Sequence, residues 1–385
     1  MNKKILYVYQ GNPENINTQS GRPFSILELL KINKWDVDIL RLDGLVLKLL
    51  QSFVKFLRVI KIYNGDTLRH PLVTKYFAIK ICLVLKTNKY KYKYIFSPST
   101  IPFADIDRSI KNKVIVVACV DTLLPGYIHY YKYNKANYKN DISIEAKSVN
   151  NCDYLFVPTI WAKEQLLEIG KKPAKGVLVW PFGANLTLKV TAEKFLDDLE
   201  LRLNSKTIKI VSIMTDWERK RGDLLVKVGN RLMEFGLDCT IEIIGLDSHL
   251  KVESQNVKTI FHGRLDKNKN SDAKKYDEIM SCATYFCMPS GGEAFGMSLC
   301  EAAAYGLPLI GSKNGGISEI IIENYTGCYL NDDNDILAVS QWIINSWTSK
   351  GIYRAISLQA RLDYINRLNW DSFYANTFKK ISEEI

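Results

Sequence analysis

The 385-residue chain predicts an α/β protein made of two doubly wound, Rossmann-like domains that face each other across a cleft. Three observations predict this. The chain is too long for one ordinary hydrophobic core. Short apolar strands alternate with helical stretches through both halves, which is the pattern of parallel sheets covered on both faces. Near the end, residues 290–319 place two glycine-rich turns directly after two buried strands. A glycine turn between strand and helix exposes backbone N–H groups at the carboxyl edge of a parallel sheet, where such folds bind phosphorylated ligands.

In the first half the expected strands are Lys4–Tyr9, Asp36–Leu40, Tyr94–Ser97, Val114–Cys119, Tyr154–Pro158 and Val177–Trp180, with helices such as Pro23–Ile32 and Trp161–Ile169 between them. The second half repeats the plan with Ile208–Met214, Thr240–Gly245, Val257–Phe261, Thr284–Pro289, Leu307–Gly311 and Cys328–Leu330. Its helices include Asp223–Phe235, Ala273–Cys282 and Gly296–Tyr305. The expected division is a first domain over residues 1–188, a charged linker over 189–205 and a second domain over 206–385, whose last helix is free to cross back. The apolar run after Met1-Asn2-Lys3-Lys4 is too short for a signal peptide and reads as the first strand.

Hydrophobic residues make up 47% of the chain, as in a globular protein, and no run is long enough to span a membrane. The eight cysteines show no metal spacing and are read as reduced residues of a cytoplasmic protein. No metal site is expected. The net charge of +11 is unevenly placed. Residues 1–188 hold 28 basic and 14 acidic residues, a balance of +14, while the remainder holds 24 against 27. Residues 41–93 alone carry 12 basic and 2 acidic residues, which points to an anionic surface as partner.

The thirty-residue block from Ser290 to Glu319 carries the chemistry. A helix starting near Gly296 directs the N–H groups of Met297 and Ser298 at whatever lies above the turn, and its dipole suits a diphosphate. Two carboxylates do not suit a phosphate, so Glu293 in the turn and Glu301 in the helix need another task. A carboxylate accepts paired hydrogen bonds from a vicinal diol. Glu301 is placed for a ribose and Glu293 for a sugar.

Glu293-Ala-Phe-Gly-x4-Glu301-Ala-x-Ala-x-Gly306-x-Pro308, continued through Gly315-Gly316-Ile317-Ser318-Glu319, resembles the Glu-x7-Glu signature of the family 4 glycosyltransferases. The resemblance implies retaining enzymes with two facing Rossmann-like domains, the GT-B arrangement. It implies a nucleoside-diphosphate sugar as donor, with no cofactor and no metal, and a glycan or lipid-linked acceptor in the synthesis of a surface polysaccharide. It places Glu293, Phe295, Gly296, Met297, Ser298 and Glu301 at the donor. Asp216-Trp217-Glu218-Arg219-Lys220-Arg221-Gly222 resembles the family's basic-glycine turn. Lys220 matches the lysine that grips the diphosphate, and Arg219 is taken as its partner, with Arg221 and Arg264 as alternatives. His262-Gly263-Arg264-Leu265 resembles the segment that contacts the nucleobase, which brings Gly263 and Arg264 into the donor set. His262 is assigned no chemistry.

In the first half, Ser20-Gly21-Arg22-Pro23 resembles the family's loop at the donor phosphate, where Gly21 permits close backbone approach. Asp121 follows an apolar strand. It is read as the residue that orients or deprotonates the acceptor hydroxyl, or steadies charge on the sugar ring, with an Asx turn as the structural alternative. Gly183 and Asn185 are read as structural. The expected catalytic set is therefore Glu293, Asp121 and Lys220.

The segment 45–62 is apolar with a stripe of Lys48, Gln51, Ser52, Lys55 and Arg58. Residues 80–93 add Lys86, Lys89, Lys91 and Lys93 among Tyr90, Tyr92 and Tyr94. This pattern suits an anionic membrane surface, so residues 41–93 are expected to dock peripherally at the inner face of the cytoplasmic membrane. The alternatives are a core helix with a solvated edge, and for the whole chain a nucleotide-sugar 2-epimerase or a non-catalytic binding protein. An epimerase needs several cleft histidines, and the chain has only His70, His129, His249 and His262. No nucleic-acid recognition module is present, so no nucleic-acid partner is expected.

Overall fold

The computed structural model describes residues 4–89, 91–107, 113–131, 133–247 and 256–383. Tyr90 and His249 lie outside the described residues. The chain divides into two compact units, Met1–Trp180 with Phe373–Ile385, and Pro181–Ser372.

The first unit holds strands β1 (Lys4–Tyr9), β2 (Asp36–Arg41), β3 (Tyr94–Ser97), β4 (Ile115–Cys119), β5 (Tyr154–Val157) and β6 (Gly176–Val179). They form one sheet in the order β2-β1-β3-β4-β5-β6, and every pair is parallel. Its helices include α1 (Arg22–Ile32), α2 (Leu45–Val59), α3 (Pro71–Thr87), α4 (Leu124–Tyr130), α5 (Lys139–Asn150) and α6 (Ile160–Ile169). The central strands are buried on both faces, as parallel strands between helix layers must be. The closing residues pack here too. The Phe378 ring meets Phe156 at 5.0 Å and Phe96 at 5.2 Å.

The second unit repeats the construction. Its strands are β7 (Ile208–Ile213), β8 (Cys239–Ile244), β9 (Lys258–Phe261), β10 (Tyr285–Met288), β11 (Leu309–Gly311) and β12 (Gly327–Tyr329). The order is β12-β11-β10-β7-β8-β9, again parallel throughout. The helices are α7 (Ala192–Leu203), α8 (Gly222–Glu234), α9 (Asn270–Cys282), α10 (Met297–Ala304), α11 (Ile336–Thr348) and α12 (Lys350–Asn366). All twelve expected strands are present within about two residues of their expected ends.

One expectation needs correction. The expected linker 189–205 is not a free connection, and the units divide at residues 180 and 181 rather than after 188. The stretch folds as α7, capped by the Thr191 hydroxyl, and buries Phe195, Leu199 and Leu203 in the second unit. Its charged residues hid an apolar stripe at helical spacing. The apolar residues of α2 divide between two faces. Leu47 and Val54 face the core, whereas Leu49, Phe53, Phe56 and Ile60 are exposed.

Six of the eight cysteines are buried, and all eight are free thiols. Burial pushes the Cys119 and Cys239 thiols up to about 12, so neither is a ready nucleophile.

The two faces of α2 give a direct test of its orientation. Val54→Ala is expected to cost about 2 kcal/mol in chemical denaturation, because it opens a buried void. Phe53→Ala, on the outer face, is expected to stay within about 0.5 kcal/mol of the native chain.

Candidate functional site

In the second unit the chain adds β8 and β9 on one side of β7 and β10 to β12 on the other. The loops after β7 and β10 therefore diverge, and the gap between them is the topological switch point where open α/β sheets bind ligands. Lys220 lies after β7 and Glu293 after β10. The Lys220 ammonium forms an ion pair with Glu293 Oε2, and Arg219 Nη1 lies 3.6 Å from the same oxygen. Lys220 Nζ also contacts the Met288 sulfur at 3.4 Å. Two loops that are 73 residues apart thus meet through one carboxylate.

Backbone contacts hold this arrangement. The Gly291 N–H donates to the Arg219 carbonyl at 2.8 Å, and the Arg219 guanidinium donates to the Gly292 carbonyl at 3.3 Å. Arg219 is anchored further by the Asp216 carboxylate at 3.4 Å. The second glycine turn braces the loop from below. Gly315 has φ +59°, and a Cβ there would lie 2.1 Å from the Glu293 carbonyl oxygen. The Gly316 N–H donates to that same carbonyl at 3.1 Å. This corrects one expectation: the second glycine turn does not present all its N–H groups to a ligand. Gly316 uses its own to fix Glu293.

Gly296 caps α10 with φ +104°, which permits the sharp entry into the helix. Met297 and Ser298 form the first turn and are half-exposed, and the Ser298 hydroxyl reaches the Met288 sulfur at 3.2 Å. The Phe295 side chain is buried, edge-on to Phe182 at 5.2 Å, so only its backbone is available to a ligand. Glu301, in the middle of α10, is 4% exposed. Its Oε1 accepts from Lys267 Nζ at 2.7 Å and its Oε2 from the Tyr276 hydroxyl. Lys267 also donates to the Asn185 carbonyl at 3.0 Å and lies 4.5 Å from the Tyr276 ring centre. Burial, then the Glu301 charge, holds the Tyr276 phenol well above its ordinary value.

The far end of α10 is also engaged. Arg202 donates to the Tyr305 carbonyl at 2.8 Å, and Arg361 donates to the Ala304 carbonyl. Both guanidinium groups are buried.

Other expected donor residues are placed as follows. Gly263 has φ +67°, and its backbone ties the loops after β8 and β9 through Gly245 at 2.8 Å and Leu246 at 3.1 Å. Arg264 is exposed. Arg221 takes a left-handed φ of +51° at the cap of α8 and donates to the Asn331 carbonyl, so it is not the partner of Lys220. His262 pairs with Glu242 at 2.8 Å, in keeping with a structural role.

The first unit has its own switch point, between β1 and β3. Gln19, Ser20 and Gly21 all have positive φ, at 47°, 55° and 83°. This strained turn delivers Arg22 into the gap. Arg22 donates to the Pro98 carbonyl at 3.2 Å, just past β3, and pairs with Asp121 Oδ1 at 3.1 Å, just past β4. Burial opposes the Arg22 charge, but Asp121 outweighs it and holds the guanidinium above its ordinary value. Asp121 Oδ1 also accepts from the Tyr127 hydroxyl at 2.8 Å and from the Thr122 N–H at 3.1 Å. The bond from Thr122 is to the adjacent residue rather than the contact two residues on that makes an Asx turn, and Asp121, one strand beyond the switch point, is tied to it by Arg22.

Sequence reasoning missed Lys267, Tyr276 and Tyr127. Lys267 stands in the run Asp266-Lys267-Asn268-Lys269-Asn270, which reads as a solvated turn. Tyr276 sits on the buried stripe of α9, where aromatic residues ordinarily pack. Only their meeting with Glu301 in space singles them out.

Bracing of the glutamate loop yields a prediction. Gly315→Ala is expected to cost about 2 kcal/mol or more in a denaturation experiment, from positive φ and collision with the Glu293 carbonyl together. Gly351→Ala, where a Cβ meets open space, should be near neutral or slightly stabilising.

Residues 205–347 match the family model described as Glycosyl transferases group 1. Over 360 residues the chain is 24% identical to an uncharacterized 41.2 kDa protein in the cps region of Klebsiella pneumoniae, covering 90% of this chain and 80% of that one. Its fold is similar to sucrose-phosphate synthase from Thermosynechococcus elongatus, with a TM-score of 0.66, 18% identity, and 99% and 98% of the two chains covered. It is also similar to Anabaena HepE, solved in complex with UDP and glucose, with a TM-score of 0.65, 14% identity and 99% coverage of both chains. The match to the group 1 glycosyl transferase model thus lies in the second unit, and the two-sheet fold is shared with these solved structures over nearly the whole chain.

Proposed function

We propose that the chain is a retaining glycosyltransferase that moves a sugar from a nucleoside diphosphate to a hydroxyl of a glycan or lipid-linked acceptor, in the synthesis of a surface polysaccharide. The observation that carries this reading is the convergence of Lys220, Arg219 and Glu293 at the switch point of the second unit, beside the first turn of α10. A leaving diphosphate needs positive charge where its own negative charge develops. Lys220, Arg219 and the N–H groups of Met297 and Ser298 supply it, and no metal is assigned a part.

Glu293 meets Lys220 and Arg219 through Oε2 alone, so Oε1 is the atom assigned to the sugar hydroxyls. Glu301 is assigned to the ribose. A carboxylate accepts up to about four hydrogen bonds, so each oxygen keeps a further lone pair beyond its contact with Lys267 or Tyr276. In the reaction, the bond from the sugar C1 to the diphosphate oxygen breaks and the electron pair leaves with the phosphate. The acceptor oxygen bonds C1 on the face just vacated, which retains configuration. Asp121 orients the acceptor hydroxyl or takes its proton. The cps-region relative supports a surface polysaccharide, and the UDP held by HepE makes uridine diphosphate sugars the first donors to test.

The test is a thermal-shift series with UDP, GDP and ADP and their sugars. One nucleotide is expected to raise the melting temperature, and Lys220→Met to abolish the shift. Glu293→Gln is expected to slow sugar transfer by about a hundredfold or more while nucleotide binding remains. An unchanged rate in Glu293→Gln rules out its role at the sugar.

The reading includes peripheral docking of residues 41–93 on an anionic membrane. Its support is the outer face of α2, where Leu45, Leu49, Phe53, Phe56 and Ile60 recur three or four residues apart and are all exposed. Lys48, Lys55 and Arg58 flank that stripe, and Ile79 and Leu83 of α3 are exposed as well. An apolar stripe beside cations suits a lipid interface with acidic headgroups. Among the described residues no helix is long and apolar enough to cross a membrane. The native chain should co-sediment with phosphatidylglycerol-rich vesicles at low salt, and Leu49→Asp with Phe56→Asp should release it. A native chain that stays in the supernatant overturns the docking.

A further inference from the structure

Asp121 is the inner end of a chain of tyrosines. The Tyr127 hydroxyl donates to its carboxylate at 2.8 Å. From Tyr127 the rings continue outward along and beyond α4, each nearly parallel to the last. Tyr127 and Tyr131 lie 6.4 Å apart at 15°. Tyr131 and Tyr133 follow at 5.3 Å and 15°, and Tyr133 and Tyr138 at 5.5 Å and 18°. Tyr130 buttresses Tyr131 edge-on at 4.5 Å.

The middle rings of this series are the most exposed. The phenol of Tyr127 is enclosed, and burial followed by the Asp121 charge holds it well above its ordinary value. Tyr131 is 43% exposed and Tyr133 48%. Parallel rings at these separations are offset rather than superposed, so each step leaves part of a face and one hydroxyl edge uncovered. A tyrosine held only for packing is ordinarily buried through its ring. Here four rings form a ladder that ends on a half-buried carboxylate fixed by Arg22, with Tyr131 and Tyr133 exposed and Tyr138 half-buried.

From this we propose that Tyr131, Tyr133 and Tyr138 form a binding track for an extended glycan chain, whose terminal hydroxyl is delivered toward Asp121. A pyranose has an apolar face of axial C–H groups and a rim of hydroxyls. It therefore matches a surface with exposed aromatic faces and phenolic edges. The spacing between successive rings is close to the length of one sugar residue. Neighbouring groups include Asn134, Asn137 and Asn140, Lys135 is paired with Glu168 at 2.6 Å, and Lys139 beside Tyr138 is exposed. The exposed ring faces with their phenolic and amide edges thus match an oligosaccharide, which is the occupant proposed. The inference rests on the glycosyltransferase reading and deepens it. The acceptor is an oligosaccharide of several residues, gripped away from its reacting end.

The test uses the full-length chain on an array of oligosaccharides of graded length. The native protein should retain a subset of chains of three or more sugars and release the corresponding monosaccharides. Tyr131→Ala and Tyr133→Ala are exposed substitutions and should weaken retention by about tenfold each, whereas Tyr133→Phe and Tyr131→Trp should stay within about threefold. The nucleotide-induced thermal shift should be unchanged in all four, which reports on folding and on the donor site separately. Failure of the native chain to retain any oligosaccharide overturns the track, as does retention that ignores both alanine variants. If instead the alanine variants lose vesicle binding and keep glycan retention, the tyrosines belong to the membrane surface and the track is refuted. Glycan retention that depends on the tyrosines, without any nucleotide shift, refutes the donor reading while keeping the track.

Discussion

Everything in the second unit turns on where a parallel sheet changes direction. A chain that adds strands first to one side of β7 and then to the other must leave two loops splayed apart at the carboxyl edge. That opening is forced by topology and needs no particular side chain. What the sequence adds is a way of holding the two lips in register. The ion pair of Lys220 with Glu293 joins them through side chains, and the bond from Gly291 to Arg219 joins them through backbone. Gly315 then presses against the Glu293 carbonyl and Gly316 against the Ala294 carbonyl, at distances that no Cβ would allow. The main chain of Glu293 is thereby fixed by backbone contacts, and Lys220 and Arg219 hold its carboxylate.

The first unit solves the same problem with different residues. A strained run of three left-handed residues replaces the glycine-rich brace, and a buried arginine replaces the lysine. In both units one cation and one carboxylate bridge strand ends on either side of a reversal. Each pair takes charge out of water, a step that is tolerated only with further hydrogen bonds. Asp121 receives them from Tyr127 and Thr122, and Arg219 gives one to the Gly292 carbonyl. The recurrence follows from physics: the switch point is the one place on such a sheet where strand ends are spread apart and backbone dipoles point outward.

Legibility in the sequence followed the range of the interactions. Strands were readable because burial on both faces writes a continuous apolar run, and all twelve emerged. Glu293, Gly296 and Glu301 stood out in the sequence because the turn and the helix it opens are formed by one short local segment. Contacts closed over long separations left no such mark. Lys267 looks like any lysine in a polar turn until it meets Glu301, 34 residues on. Segment 189–205 looked like a linker because its charges outnumber its apolar stripe. In α2 the apolar residues surround most of the helix, so periodicity alone could not say which of them face the core. Leu47 and Val54 were chosen by the neighbours in α3 and the sheet, which a sequence does not display.

The arginines at the far end of α10 alter what the near end can do. A helix of eight residues is about 12 Å long, so its negative pole ordinarily lies close enough to dilute the field at its positive pole. Arg202 and Arg361 sit on the last carbonyls and cancel that opposing contribution. The short segment consequently behaves toward its open end less like a dipole than like a single fractional cation, whose reach falls off with distance more slowly. An anion approaching Met297 and Ser298 is attracted by one sign only, even though neither arginine comes near it.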